Sequence, residues 1–473
     1  MRIETQQNFL ESRTFDEINV GDCSVLVRSL RAEDIKLFAI MSGDMNPAIG
    51  DKEFSNSGMF REVIAHGMWS ASLISTVLGT QFPGPGTILV DQALHFARPV
   101  SLGDTITVTM TVKKMFTHNR HILFDCCCVN QDNLEVVRGT AEVLAPAEKV
   151  KTKRVDLPHI TISDKYARLQ HLVARANGLA PIDMAVVHPC DLESLKGALM
   201  AAEAELIDPI LIGPEAKIRG IASEHGLDLK QHRIVNVKHS HDAAAMAVSL
   251  IHNGDAEALM KGSLHTDEMM AEVVSHASGL RTERRISHVF LMDVPTYPRP
   301  ILITDAAINI TPSLDDKVDI IQNAIDLAHI IGIPEPKVAI LSAVETVSAK
   351  IQSTLDAAAL CKMADRGQIR GGLLDGPLAF DNAVSLEAAK TKGIVSAVAG
   401  RAEILVVPDL ESGNMVAKQL EYLANALTSG IVLGARVPIV LTSRADTAET
   451  RIASCVIATL IAHANRGKQA KTE

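Results

Sequence analysis

Hydrophobic and polar positions follow one pattern up to about residue 145 and another beyond it. In the first part "DTITVTMTV" (104–112) sets Thr against Ile106, Val108, Met110 and Val112, the period-two signature of a half-buried strand. "CSVLVRSL", "HILFDCCCV" and "LEVVRGTAEVL" predict further strands, giving an α+β unit that ends in an antiparallel meander. Arg31 to Ser42 carries Ile35, Leu37, Phe38 and Met41 at helical spacing, with Glu33 and Asp34 in the first turn. A second helix is predicted from "HGMW" (66–69) to Gly79.

"APAEKVKTKRVDLPHI" (145–160) has two prolines, several Lys and Arg and no apolar period, so it is expected to be a linker. Beyond it come short continuous apolar runs separated by Ala-rich helical stretches: "DMAVVHP", "DPILIGP", "EALMKG", "HVFLMDV", "PILITDA", "KVAILSA", "AEILVVPDL" and "PIVLTS". Continuous runs suit strands buried on both faces, hence a mostly parallel sheet with helical crossovers. Their Gly, Asp, Ser or His ends fall where open α/β sheets present chemistry. The expected division is residues 1–148, a linker 149–160, and an α/β domain 161–473 of two lobes around a cleft.

With 473 residues the chain exceeds one ordinary core, and with 47% hydrophobic but 3% aromatic residues its cores must be aliphatic. A net charge of −10 argues against general nucleic-acid binding, while leaving room for a local basic pocket. The first residues show no basic-then-apolar signal pattern and no apolar run is long enough to span a bilayer, so a cytoplasmic location is expected. Cys126, Cys127 and Cys128 are consecutive in a strand and alternate faces, so they cannot converge on one metal; reduced, mostly buried thiols are expected. "HSH" (239–241) resembles a metal pair, but no third ligand is spaced to join it, and no metal is expected.

The candidate chemistry lies in two places. "LRAEDIKLFAIMSGDMNP", "AHGMWSASLIS" and "HFARPVSLGDTITVTMTV" together resemble the MaoC-like R-specific enoyl-CoA hydratases, over almost all of residues 12 to 145. The resemblance implies a hot-dog fold in which an Asp–His dyad holds the water that adds to the enoyl thioester. It also implies a backbone N–H at the start of the central helix that polarises the thioester carbonyl. Asp44 matches the acid, Asn46 the loop asparagine, Gly67 the backbone donor and Ser75 the helix serine, but the histidine position is Ile49. Ile49 cannot move a proton, and losing one member of such a pair removes about 10²- to 10⁴-fold in rate. Efficient hydration is therefore not expected, and a domain that only binds acyl-CoA or dimerises is the alternative.

From about Tyr166 onward the chain resembles the phosphate acetyltransferase and phosphate butyryltransferase family. The resemblance rests on "VVHPCDLESLKGALMAAEAELIDPILIGP", "LMKGSLHTD", "RRISHVFLMDVPTYPRPILITDAAINI", "AILSAVETV", "LLDGPLAFDNA", "VVPDLESGNM" and "VPIVLTSRADTAETR". It implies that acyl-CoA, acetyl or butyryl, and inorganic phosphate give acyl phosphate and CoA, without a cofactor beyond CoA as substrate. Attack of phosphate on a thioester needs cations for phosphate and a donor for the developing charge. Ser443 and Arg444 match the family's Ser-Arg pair in those roles.

Two positions depart from the acetyltransferase pattern. The acid that takes the thiol proton falls at Thr450, with Asp446 and Glu449 as the nearby replacements. A second family arginine falls at Met270, with Arg281, Arg284 and Arg285 as candidate substitutes. Lys261, Gly262, His265 and Thr266 are candidates to line a CoA cleft, with ordinary loop chemistry as the alternative. Asp305, Asn309, Asp375, Asp381, Asp409, Gly413 and Asn414 are expected to fix loop geometry. A homo-oligomer, dimer or higher, is expected. The competing reading is a non-catalytic acyl-CoA sensor.

Overall fold

The structure is a computed structural model that describes residues 9–44, 46, 64–155, 160, 167–230, 232–441 and 448–469. The chain divides into two compact units, Met1–Ile162 and Ser163–Glu473.

The first unit is the α+β hot-dog domain. Its antiparallel sheet has the order β2 (Cys23–Ser29), β4 (Thr105–Phe116), β5 (His121–Val129), β6 (Glu135–Leu144), β3 (Ile88–Phe96). Along β4 the apolar residues from Ile106 to Val112 are buried and the alternating threonines are not, as the period-two pattern requires. The helix Gly67–Thr80 lays Trp69, Leu73, Ile74, Val77 and Leu78 on this face. Those positions recur at i, i+4 and i+8, which is one stripe of a helix. Cys126 and Cys128 are buried and Cys127 is not, so adjacent thiols do alternate faces. Burial pushes Cys126 and Cys128 up to about 12, leaving them un-ionised and inert. The stretch expected to be a linker contains β7 (Lys151–Lys153), paired antiparallel with β1 (Phe9–Glu11). Backbone hydrogen bonding needs no apolar period, so the sequence pattern did not reveal this ribbon.

The second unit is an α/β domain built on one sheet of eleven strands. One flank runs β10 (Ile234–Asn236), β9 (Ile207–Gly213), β8 (Ile182–Val187), β11 (Ala258–Lys261), β18 (Ile439–Val440), all parallel. The sheet continues through β17 (Leu427–Leu433) and β12 (Ser287–Asp293), each antiparallel to its neighbours. A second parallel flank follows: β13 (Ile301–Thr304), β16 (Ile404–Val406), β14 (Lys337–Leu341), β15 (Leu373–Leu378). Helices cover both faces, so along β8 Met184 and Val186 join one core while Ala185 and Val187 join the other. One face carries a single core across both flanks; the opposite face carries two separate cores, one per flank.

His288 lies in β12, fully buried, with its ring edge-on to Phe290 at 4.3 Å. Gly430 of β17 is where that ring crosses the neighbouring strand: a Cβ there would stand 2.9 Å from Nε2. Burial pushes the imidazole down from 6.5 to about 4, with Asp305 opposing the shift. Above pH 6.5 His288 is neutral folded or unfolded and costs nothing. As pH falls from 6.5 to 4 only the unfolded chain takes up the proton, so stability drops by about 3 kcal/mol. Denaturant midpoints of wild type and His288→Gln should therefore diverge over this window, the variant losing less; parallel curves would disprove the assignment.

Candidate active site

At the C-terminal edge of the first flank the ends of β8 and β11 are fastened together. Gly262 follows β11, and a Cβ there would meet the Val187 and His188 carbonyl oxygens at 2.3 and 2.5 Å. Only glycine permits that approach. Ser263 Oγ–H donates to the His188 carbonyl at 2.9 Å and its Oγ accepts the Cys190 N–H at 3.3 Å. His188 itself is left-handed (φ 55°). Burial, then Lys217, pushes its imidazole down, with Glu268 opposing.

Lys261 ends β11 and is buried, 4% exposed. Register pairs Met260, the residue before Lys261, with Val440, the residue before Leu441. Two residues further along the sequence is Ser443. Ser443, Arg444 and Asp446 lie outside the described residues; Glu449, exposed, and Thr450, buried, begin the helix Ala448–Gln469. His265 is the exposed N-cap of the helix Thr266–Val273 and makes no capping bond with its side chain.

The three arginines come together around one cavity of about 250 Å³, lined also by Val274, Ile286, Ile308 and Asn309. Arg285 Nε–H donates to Asn309 Oδ1 at 2.7 Å, its guanidinium faces Asp316 at 3.5 Å, and its backbone N–H donates to Asp319 at 2.8 Å. Burial works against ionisation of Asp316, but its bonds from Ser313 and the charge of Arg285 outweigh this and hold its carboxyl low. Arg284 donates to Asp326 Oδ2 at 2.6 Å. Arg281 Nη1 stands 2.9 Å from His276 Nε2 and meets no carboxylate within ion-pair distance among the described residues. Two of the three cations are thus matched by carboxylates; Arg281 leads in net positive charge toward the cavity.

Asp305 and Asn309 fix the loop beside these arginines. Asp305 Oδ1 accepts the N–H groups of Ala307 and Ile308 at 2.9 and 3.0 Å. Asn309 Nδ2 donates to Asp305 Oδ2 at 2.6 Å and to the Ile286 carbonyl at 2.9 Å. Asp409 caps the helix Leu410–Leu423 through Ser412 N–H at 2.8 Å, and Asn414 reaches the Ala306 carbonyl. These four residues shape loops, as side-chain-to-backbone chemistry predicts.

Val274 is the C-cap of the helix Thr266–Val273, so the strand-end residues and the arginine cavity are separated by an eight-residue helix. That is about 12 Å, a span suited to an extended ligand rather than to one phosphate.

In the first unit, Asp44 follows the helix Ala32–Ser42 and its left-handed Gly43 (φ 72°). Its N–H donates to Ser42 Oγ at 3.3 Å and its Oδ1 accepts the Asn46 N–H at 3.2 Å. His66, buried against Phe38 at 5.0 Å between ring centroids, lies beside it. Gly67 begins the helix, where backbone N–H groups have no acceptor within the helix. Ser75 is exposed eight residues, about 12 Å, further along. Ile49 lies outside the described residues. Sequence reasoning had placed the His of "DMAVVHP", His188, at a strand end, but not the carboxylates behind the arginines.

Comparison with known proteins now distinguishes the two units. Residues 238–459, which include the arginine triplet and Ser443–Arg444, match the family model "Phosphate acetyl/butaryl transferase". Residues 13–125 match the "MaoC like domain". A phosphate acetyltransferase of Rhizobium meliloti is 63% identical over 303 residues, 64% of this chain and 96% of that protein. A phosphate butyryltransferase of Clostridium beijerinckii is 40% identical over 295 residues, 62% of this chain and 98% of that one. Among solved structures, a branched-chain phosphotransacylase from Enterococcus faecalis V583 is 29% identical with a TM-score of 0.53, covering 60% of this chain and 99% of that one. The chain belongs to the phosphate acetyltransferase and phosphate butyryltransferase family, and carries a MaoC-like domain ahead of it.

Proposed function

We propose that the chain is a phosphate acyltransferase, converting acyl-CoA and inorganic phosphate to acyl phosphate and CoA. The observation that carries this reading is 63% identity across 96% of a phosphate acetyltransferase. A phosphate oxygen attacks the thioester carbonyl and the CoA thiolate departs. Ser443 stabilises the developing charge, Arg444 binds phosphate, and Asp446 or Glu449 exchanges the thiol proton. Lys261, His265 and Thr266 line one end of the CoA path and Arg281, with Arg284 and Arg285 behind it, the other. The separation of about 12 Å fits a ligand with anionic groups far from its thioester. CoA is a substrate and no cofactor takes part.

In this reading the MaoC-like domain binds the same class of acyl thioester, with hydration weakened by Ile49 at the family's histidine position. The enzyme works in the cytoplasm as a homo-oligomer; among the described residues no helix is long and apolar enough to cross a membrane. Release of free thiol from acetyl-CoA or butyryl-CoA in the presence of phosphate tests the assignment. Phosphate-dependent turnover with at least one of them is the expected result, and their kcat/KM ratio sets the acyl preference. Binding of CoA without turnover of either thioester would instead make the chain a sensor.

A further inference from the structure

The second unit contains a cavity that the acyltransferase reading does not use. It holds about 170 Å³, lies against the start of β18 at Pro438, and is bounded by the helices Leu314–Ile330 and Ala448–Gln469. The end of β18 that leads in sequence to Ser443 is the opposite one. A space of about 150 Å³ accommodates benzene, so this one suits a molecule slightly larger than that and far smaller than CoA. Its lining is of two kinds. Leu327, Ile330, Leu433, Val437 and Ile461 make an aliphatic wall, while Arg284, Asp326 and Asn465 are polar groups with bonding capacity to spare. Arg284 Nη1 donates to Asp326 Oδ2 at 2.6 Å and to Asn323 Oδ1 at 3.4 Å, but its Nε and Nη2 meet no acceptor among the described residues. Asp326 Oδ1 accepts from Gln322 Nε2 at 3.1 Å, and a carboxylate has about four acceptor sites in all. The Asn465 side-chain amide bonds to no described group. The two charged side chains are 43% and 32% exposed, where an ion pair contributes little by itself, so a ligand that keeps both charges matched can join it.

We propose that this cavity binds a free aliphatic α-amino acid. Its carboxylate takes the fork made by Nε and Nη2 of Arg284, its ammonium donates to Asp326, and its hydrocarbon branch lies on the aliphatic wall. A carboxylic acid without the amine would bring a second anion to Asp326, and an amine without the carboxylate a second cation to Arg284, so neither half suffices. Arg284 also lines the arginine cavity assigned above to the CoA path, so the two cavities share one guanidinium. A carboxylate bound to it offsets part of the charge that the arginine cavity offers an anionic ligand. The amino acid should therefore raise KM for acyl-CoA and leave kcat unchanged. This kinetic effect rests on the reading of the arginine cavity as part of the CoA path; the binding does not.

Calorimetric titration of the full chain with L-valine, L-isoleucine and L-leucine tests the site. At least one is expected to bind, and the analogues of the tightest binder that lack the amine or the carboxylate should each bind roughly 10- to 100-fold more weakly, the range of one hydrogen bond to a charged group. Asp326→Asn should weaken binding by about the same factor. Asn465→Phe, which fills the cavity from a side chain without bonds of its own, should abolish it. Melting curves establish that the variants fold; should Asp326→Asn not fold, Asn465→Phe decides. Binding of none of the three amino acids, an analogue as tight as its parent, or binding that persists unchanged in either folded variant overturns the proposal. With the amino acid saturating, KM for acyl-CoA should rise about 5-fold or more and level off, the lower end of coupling between sites. A KM that climbs without limit would mean that the amino acid and CoA exclude one another, and overturns the assignment of a separate site. Binding with an unchanged KM keeps the site and removes Arg284 from the CoA path, and binding without any turnover counts against the acyltransferase reading alone.

Discussion

Alanine at Ser443 is expected to lower kcat for acyl transfer to phosphate by about 10²- to 10³-fold, the cost of removing one donor aimed at charge that develops in the transition state. The loss should appear in kcat, since a hydroxyl that acts on the oxyanion or the leaving sulfur contributes little to ground-state binding. Arg444→Lys should instead raise KM for phosphate, because an ammonium keeps the charge but not the fork that holds two oxygens at once. The arginine cavity provides an internal contrast. Arg284 and Arg285 are anchored by Asp326, Asp316 and Asn309, whereas the Arg281 guanidinium contacts His276 and no carboxylate among the described residues, so Arg281→Ala should weaken ligand binding with the least structural damage. Initial rates over a matrix of phosphate and acyl-CoA concentrations separate these effects. A Ser443→Ala enzyme with unchanged kcat would remove Ser443 from the chemistry.

Legibility of the fold followed burial. All eight continuous apolar runs are strands, because a strand covered by helices on both faces has no polar side to show. The same rule hid the sheet's antiparallel centre: "HVFLMDV" in β12 is buried on both faces and reads like any parallel strand. β17, "LTSGIVL", was not read as a strand because Gly430 makes room for the His288 ring. β15, "LLDGPL", is not a continuous apolar run, and its proline is accommodated by a place at the sheet edge.

The site was legible where one short segment carried it, as with the arginine triplet in "GLRTERRISH". It was not legible where partners come from distant elements. The carboxylates that balance Arg284 and Arg285 sit on the helix Leu314–Ile330, at positions whose helical spacing marks an ordinary polar face. His66 and Asp44 are likewise 22 residues apart, and only the folded chain sets a carboxylate against the imidazole.

Breaking the ion pair between Lys317 and Asp356 should produce the largest loss of stability in the second unit. Nζ and Oδ2 are 2.6 Å apart, both residues are under one-tenth exposed, and Asp356 Oδ1 also accepts from Gln352 Nε2 at 2.8 Å. Asp356→Ala leaves a cation without its partner in an apolar surround, which costs about 3–5 kcal/mol. Replacing both, as Lys317→Met with Asp356→Leu, removes the uncompensated charge and should restore most of that loss. The pair also bears on the site, because Lys317 lies between Asp316 and Asp319, the two carboxylates that hold Arg285. A slackened first turn of that helix frees Arg285 to move, so Asp356→Ala should raise KM for acyl-CoA or phosphate at temperatures where the unit is still folded. Denaturant unfolding of both single variants and the double variant, with kinetics on each, tests the two effects together. Equal destabilisation in the single and double variants would mean that packing, and not the stranded charge, sets the cost.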